Sequence, residues 1–99
     1  MCRVLSLAVK EGVPVNDDLE GLANDIIEWK KLGRRLMENA DAVLYAIDKR
    51  NDEENEKAYK MLSKWKRAEG SCATFRVLHD ALCHDFVNRR DLAEKYCEM

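Results

Sequence analysis

The chain is poor in helix breakers, with one proline and four glycines among 99 residues. That composition excludes collagen-like and Pro/Gly-rich low-complexity architectures and leaves long stretches that nothing interrupts. No apolar run approaches the roughly 18–20 residues that a membrane span needs, so membrane insertion is not expected. Residues 1–12 are mildly apolar but too short and too poorly flanked for a signal peptide. Net charge is nearly absent, at -2 from 17 basic and 19 acidic residues, which argues against bulk attraction to nucleic acid. No Cys-x-x-Cys pair occurs among Cys2, Cys72, Cys83 and Cys97. With no secretory signal either, reduced thiols in a cytoplasmic protein, or in the cytoplasmic part of a larger one, are expected. Glycine-rich phosphate loops, internal repeats and sustained β alternation are also missing.

What is present is charge and helical periodicity. Charged residues make up 36% of the chain, against an average of about 25%. At this length one domain is expected, hiding roughly two thirds of the unfolded surface. Pro14 closes the N-terminal stretch, and Asn16 or Asp17 can cap a following helix whose first turn is acidic. Leu19, Leu22, Ala23 and Ile26 repeat at helical spacing, and Trp29, Leu32 and Leu36 continue the stripe with a bend near Ile27. Asn39 or Asp41 is the next cap, before the short apolar face Val43, Leu44 and Ile47. The acidic residues 51–54 then read as a loop or a single turn. Ala58, Met61, Leu62 and Trp65 define a strong helix, with Glu53/Lys57 and Glu56/Lys60 as supporting i,i+4 pairs and Gly70 as its stop. Ser71 or Thr74 starts another helix, striped by Phe75, Leu78, Leu82 and Phe86. A last short helix carries Leu92, Ala93 and Tyr96. The expected core holds Trp29, Leu32, Leu36, Ile47, Leu62, Trp65, Leu78, Leu82 and Leu92.

Two tryptophan motifs stand out. They are Trp-Lys-x-Leu-Gly-Arg-x-Leu at residues 29–36 and Ala-Tyr-x-Met-Leu-x-x-Trp-Lys at 58–66, with Glu69-Gly70 following. Ala73-Thr74-Phe75-x-Val77-Leu78-x-x-Ala81-Leu82 and Arg89-Arg90-Asp91-Leu92-Ala93-Glu94-Lys95 follow in order. Over about residues 17–97 this series resembles the death domain of the death-fold superfamily. Arg89-x-Asp91-Leu92 also fits the motif of the sister death-effector domains, but the two Trp motifs favour the death domain. The resemblance implies an all-α, six-helix antiparallel bundle over residues 17–99, behind an N-terminal extension (1–16) with an extra turn around Leu5–Val9. The short acidic run Asp52, Glu53, Glu54 suggests that the family's third helix is here only a turn. The resemblance further implies a non-enzymatic module of a larger protein. Such modules bind other death-domain proteins, or their own copies, to assemble signalling complexes.

The charges are strongly patterned. Residues 17–28 carry five acids and no base, 30–35 four bases and no acid, 48–56 five acids against two bases, and 57–67 five bases and no acid. Like-charge i,i+4 pairs such as Lys30/Arg34 and Lys31/Arg35 cost a helix a few tenths of a kcal/mol each. Acids on neighbouring helices can offset that cost, giving a solvated surface of weak internal pairs. The alternative is a basic face that meets an acidic face on a partner. In the family, the first and fourth helices commonly meet the second and third of a neighbour. By that resemblance Lys30, Lys31, Arg34, Arg35, Lys60, Lys64 and Arg67 would face acids such as Asp48, Asp52, Glu53 and Glu54. A chain carrying both faces can join end to end into rings or helical assemblies.

Other chemistry has little support. His79 and Cys83 share a helix face, and with Cys72, His84 and Cys97 they raise the alternative of a small helical metal-binding or regulatory domain. No second ligand pair matches them, and a buried Cys beside Leu78 and Leu82 behaves as a small hydrophobe. Tyr59 and Trp65 among Lys57–Arg67 superficially suggest nucleic-acid stacking, but Trp65 lies on the apolar stripe. No catalytic residue, metal ligand or cofactor is expected, since no oxyanion-hole sequence or paired acid and base is recognisable.

Overall fold

A computed structural model describes residues 9–37, 40–50 and 53–98. Among these, the chain forms six α-helices and no strand. They are α1 (Asn16–Asp25), α2 (Trp29–Leu36), α3 (Ala40–Arg50), α4 (Glu54–Glu69), α5 (Phe75–Cys83) and α6 (Arg90–Cys97), with a single 3₁₀ turn, Gly70–Cys72, after α4. This is the all-α bundle that the sequence led us to expect. The longest helix, α4, is its axis: α1, α2 and α3 all pack against it, while α5 packs on α6 and α2.

The nine expected core residues are all buried, Leu36 being the most exposed at 8%. Trp29 and Trp65 are essentially inaccessible. At about 25 cal/mol per Å², burying an indole contributes roughly 4–6 kcal/mol as an upper bound. These two rings therefore dominate a small core, one on α2 and one on α4.

Helix ends depart from the expectations in four places. Neither Asn16 nor Asp17 caps α1. The N-cap is Val15, whose N–H donates to the Asp18 carboxylate at 3.2 Å. Valine has no acceptor to return, so only half of a capping box forms. The bend near Ile27 is a full break, with Ile26 extended (φ -87, ψ 133) and buried while Ile27 is exposed. Two adjacent β-branched residues favour that extended backbone. The third helix is no mere turn: α3 runs eleven residues, because Leu44 and Ile47 anchor it to the core and three alanines favour the helix. Finally, Phe86 does not extend the α5 stripe. The helix ends at Cys83, the chain turns through residues 85–87, and Val87 takes the buried place while Phe86 is 67% exposed.

Thr74 is the α5 cap, its Oγ1 accepting the Val77 N–H at 3.2 Å, and Gly70 ends α4 at φ +57, a conformation that glycine adopts without strain. Lys57 turns from Glu53 to Asp48 and Glu54. Residues 9–15 run along the end of the bundle. Val9 forms an antiparallel bridge with Glu98, Lys10 N–H donates to the Cys97 carbonyl at 2.7 Å, and Phe75 N–H donates to the Gly12 carbonyl at 3.0 Å. The extra turn expected around Leu5–Val9 lies, but for Val9, outside the described residues, as does Asn39.

Candidate functional site

Helix α2 splits cleanly. Trp29, Leu32, Gly33 and Leu36 face inward, leaving its four basic residues outward. Helix α3 meets part of that charge. Lys30 pairs with Asp48 at 2.8 Å, and Arg34 with Asp41 at 3.2 Å. Asp48 also accepts from Lys57 at 2.7 Å. Hydrogen bonds from Lys30 and then Lys57 hold the Asp48 carboxyl down to about 2. Glu54 accepts the Trp29 indole N–H at 2.8 Å and Lys57 at 3.3 Å, and these bonds, the indole's first, lower its pKa. Two of the acids expected to meet a partner are thus engaged within the chain. Their half-exposed ion pairs contribute little singly, but they tie α2, α3 and α4 together at one corner.

The other expected contact residues fall into two groups. Lys31, Arg34 and Arg35 line a recess of about 350 Å³ with Asp85 and Phe86. The Arg35 guanidinium lies 5.5 Å from the centre of the Phe86 ring and 3.4 Å from His84 Nε2. A cation over an exposed ring is attracted by about 0.5–1 kcal/mol, which presents charge and aromatic surface together. Lys60, Lys64 and Arg67 lie elsewhere. With Arg50 they rim a groove of about 690 Å³ between α3 and α4, over a floor that includes Val43, Ala46 and Ile47. Glu53 is exposed beside the start of α4, and Asp52 lies outside the described residues.

The acidic run of residues 17–28 is likewise partly spent inside the fold. Asp25 accepts from Tyr96 and Lys95, whose hydrogen bonds lower its pKa, the tyrosine's contribution being the larger. Glu28 receives Arg89 at 2.9 Å, and Arg89 also pairs with Asp91 at 3.1 Å. Asp91 first and Glu28 second raise the Arg89 pKa above its ordinary value. Asp17 and Glu20 face solvent.

Sequence reasoning missed Phe86, Arg50 and the bridging role of Lys57. For Phe86 a signal existed: Asn88 stands at φ +54, a left-handed position that Asn tolerates well and that marks a turn. For Lys57 there was none, because its partner Asp48 belongs to another helix.

The cysteine and histidine residues show a different arrangement. His79 Nε2 lies 2.7 Å from a Glu98 oxygen and Nδ1 lies 3.8 Å from Cys83 Sγ. The two partners flank opposite edges of the imidazole instead of converging on one point. Burial pushes the Cys97 thiol up to about 12, and Cys72 is exposed. Among the described residues no group of three or more His, Cys, Asp or Glu is arranged to hold a metal ion, and no helix is long and apolar enough to cross a membrane.

Comparison with the curated proteins and with the solved structures gave no match. The family model for the death domain matches residues 16–99, a span that contains all six helices and both tryptophan motifs. With the bundle and its buried tryptophans, that match establishes that the chain belongs to the death domain family.

Proposed function

We propose that this domain acts in the cytoplasm by homotypic contact with other death domains, assembling signalling complexes of the apoptotic, innate-immune or NF-kappa-B type. Its family is one of non-enzymatic protein-interaction modules. The observation that carries the reading is the exposed ridge of α2. Lys31 and Arg35 project beside exposed Phe86, and among the described residues Arg34 pairs with the exposed carboxylate of Asp41. A partner carboxylate can displace that surface pair at little cost. Basic side chains around an exposed aromatic suit an acidic patch, and such contacts raise association rate and selectivity. Because Asp48 and Glu54 are engaged at home, the complementary acids come from exposed positions such as Glu53, Asp17 and Glu20. Lys60, Lys64 and Arg67 belong to the separate groove.

Affinity capture with mass spectrometry tests this. Wild-type bait should enrich death-domain proteins, and Arg34→Glu/Arg35→Glu should lose them while its circular-dichroism melt stays unchanged. Equal recovery by both baits, or no death-domain protein with either, would sink the proposal. Binding should also weaken as salt rises, since exposed charges are screened beyond about 8 Å at 0.15 M.

A further inference from the structure

The groove between α3 and α4 has features of its own. One wall presents Ala42, Val43, Ala46 and Ile47 and ends at Arg50, with spacings of one helical face. The other presents Lys60, Ser63, Lys64 and Arg67, again a single face. Small side chains at Ala42, Ala46 and Ser63 leave the space open, and larger Val43 and Ile47 make its floor apolar. All four rim cations carry the same sign, and no carboxylate is among the described residues that line the groove. Among the described residues none of the four is in an ion pair or side-chain hydrogen bond. The nearby acid Asp48 turns to the opposite side of α3, into Lys30 and Lys57.

The geometry points to this groove as a docking site for an acidic amphipathic helix of a partner protein, independent of the α2 ridge. At about 1.5 Å per residue, the lining from position 42 to 50 is about 12 Å long, and that from 60 to 67 about 10 Å. That length receives about two turns of a helix, so two or three apolar anchors at i, i+4 and i+7 would rest on Val43, Ala46 and Ile47. Carboxylates flanking those anchors would meet the four cations. Charge excludes one occupant from this chain and burial another. Residues 1–8 contain Arg3 and no acid. The acidic α1 of a second copy keeps its own apolar face, Leu19, Leu22 and Ala23, buried in its own core. A phosphate backbone would satisfy the cations but leave the apolar floor unfilled.

The test uses the 99-residue protein and a fluorescein-labelled synthetic helix of about 15 residues, a length at which an isolated helix is marginal. Leucines stand at i, i+4 and i+7 and glutamates flank them. Fluorescence anisotropy should show binding that Lys60→Glu/Lys64→Glu weakens tenfold or more, that Lys60→Ala/Lys64→Ala weakens severalfold, and that Arg34→Glu/Arg35→Glu leaves intact. A peptide of the same composition in scrambled order should bind at least severalfold more weakly, because it cannot present the apolar stripe. Circular dichroism confirms that each variant is folded. Equal binding of the scrambled peptide, tighter binding of a DNA duplex oligonucleotide, or unchanged binding by folded Lys60→Glu/Lys64→Glu would each overturn the assignment. So would sedimentation showing self-association that this variant abolishes, which would make a second copy the occupant.

Discussion

Gly33→Ala pits local helix preference against packing. Gly33 lies in the middle of α2, where alanine should favour the helix by about 1 kcal/mol. It also sits where α2 comes closest to its neighbours. A Cβ built there would lie 2.7 Å from Leu44 Cδ2 and 3.2 Å from Met61 Cγ. Leu44 is 2% exposed and Met61 is fully buried, so neither can swing into solvent, and overpacking of this kind costs about 1–3 kcal/mol. The clash should outweigh the preference and leave a net loss of about 1 kcal/mol. In a domain of this size that lowers Tm by roughly 4–8 °C. Urea melts followed by the fluorescence of the two buried tryptophans would measure it. A double-mutant cycle sharpens the test: in a Leu44→Ala background the obstructing methyl is gone, so adding Gly33→Ala should turn from destabilising to stabilising. If Gly33→Ala alone matches or exceeds the wild type, the close approach of α2 to α3 does not explain this glycine.

The remaining predictions concern the core, the charge network and acid stability. Trp65→Ala should lose about 3–5 kcal/mol, a large part of the ~5–15 kcal/mol expected of such a domain. A denaturation midpoint near that of wild type would show that Trp65 is not the anchor its burial implies. Arg89→Met removes the bonds from the start of α6 to Glu28 and Asp91. Charged, part-buried hydrogen bonds of this kind should be worth about 1–3 kcal/mol, and an unchanged urea midpoint would refute that. Asp48 is held down to about 2 from 3.8, and Asp25, Glu54 and Asp91 are lowered as well. A lowered acid stabilises the fold above its unfolded pKa and loses that effect as pH falls towards its folded value. Tm should therefore fall between about pH 4 and pH 2, and more shallowly in Asp48→Asn. A wild-type Tm that holds level over that window would contradict the pairing of these acids.

Much of the fold was legible because helical burial leaves a periodic trace. Leu19, Leu22 and Ala23, and later Ala58, Met61, Leu62 and Trp65, repeat at 3.6-residue spacing, and each lies on a buried helix face. Thr74 and Gly70 carried the chemistry of their helix ends in their own side chains or lack of one. The failures occurred where such chemistry was absent or duplicated. Val15 caps α1 although two better-suited residues follow it, and α5 stops at Cys83 with neither glycine nor proline there. Periodicity then carried Phe86 into a core that the turning chain had already left.

The candidate site was legible only as an inventory. The sequence by itself determined the amphipathic stripes, the family motifs and the four alternating blocks of charge, because each is a property of residues close along one chain. Tertiary structure decided what each charge meets. Asp48 stands eighteen residues from Lys30 and nine from Lys57, and only the packing of α2, α3 and α4 brings all three within a hydrogen bond. The same packing leaves Arg50, Lys60, Lys64 and Arg67 around one groove and sets Phe86 under Arg35. Coulomb attraction falls off with distance. Whether an acidic residue silences a basic neighbour or leaves it for a partner therefore depends on separations of a few ångströms between helices, which spacing along the chain does not encode.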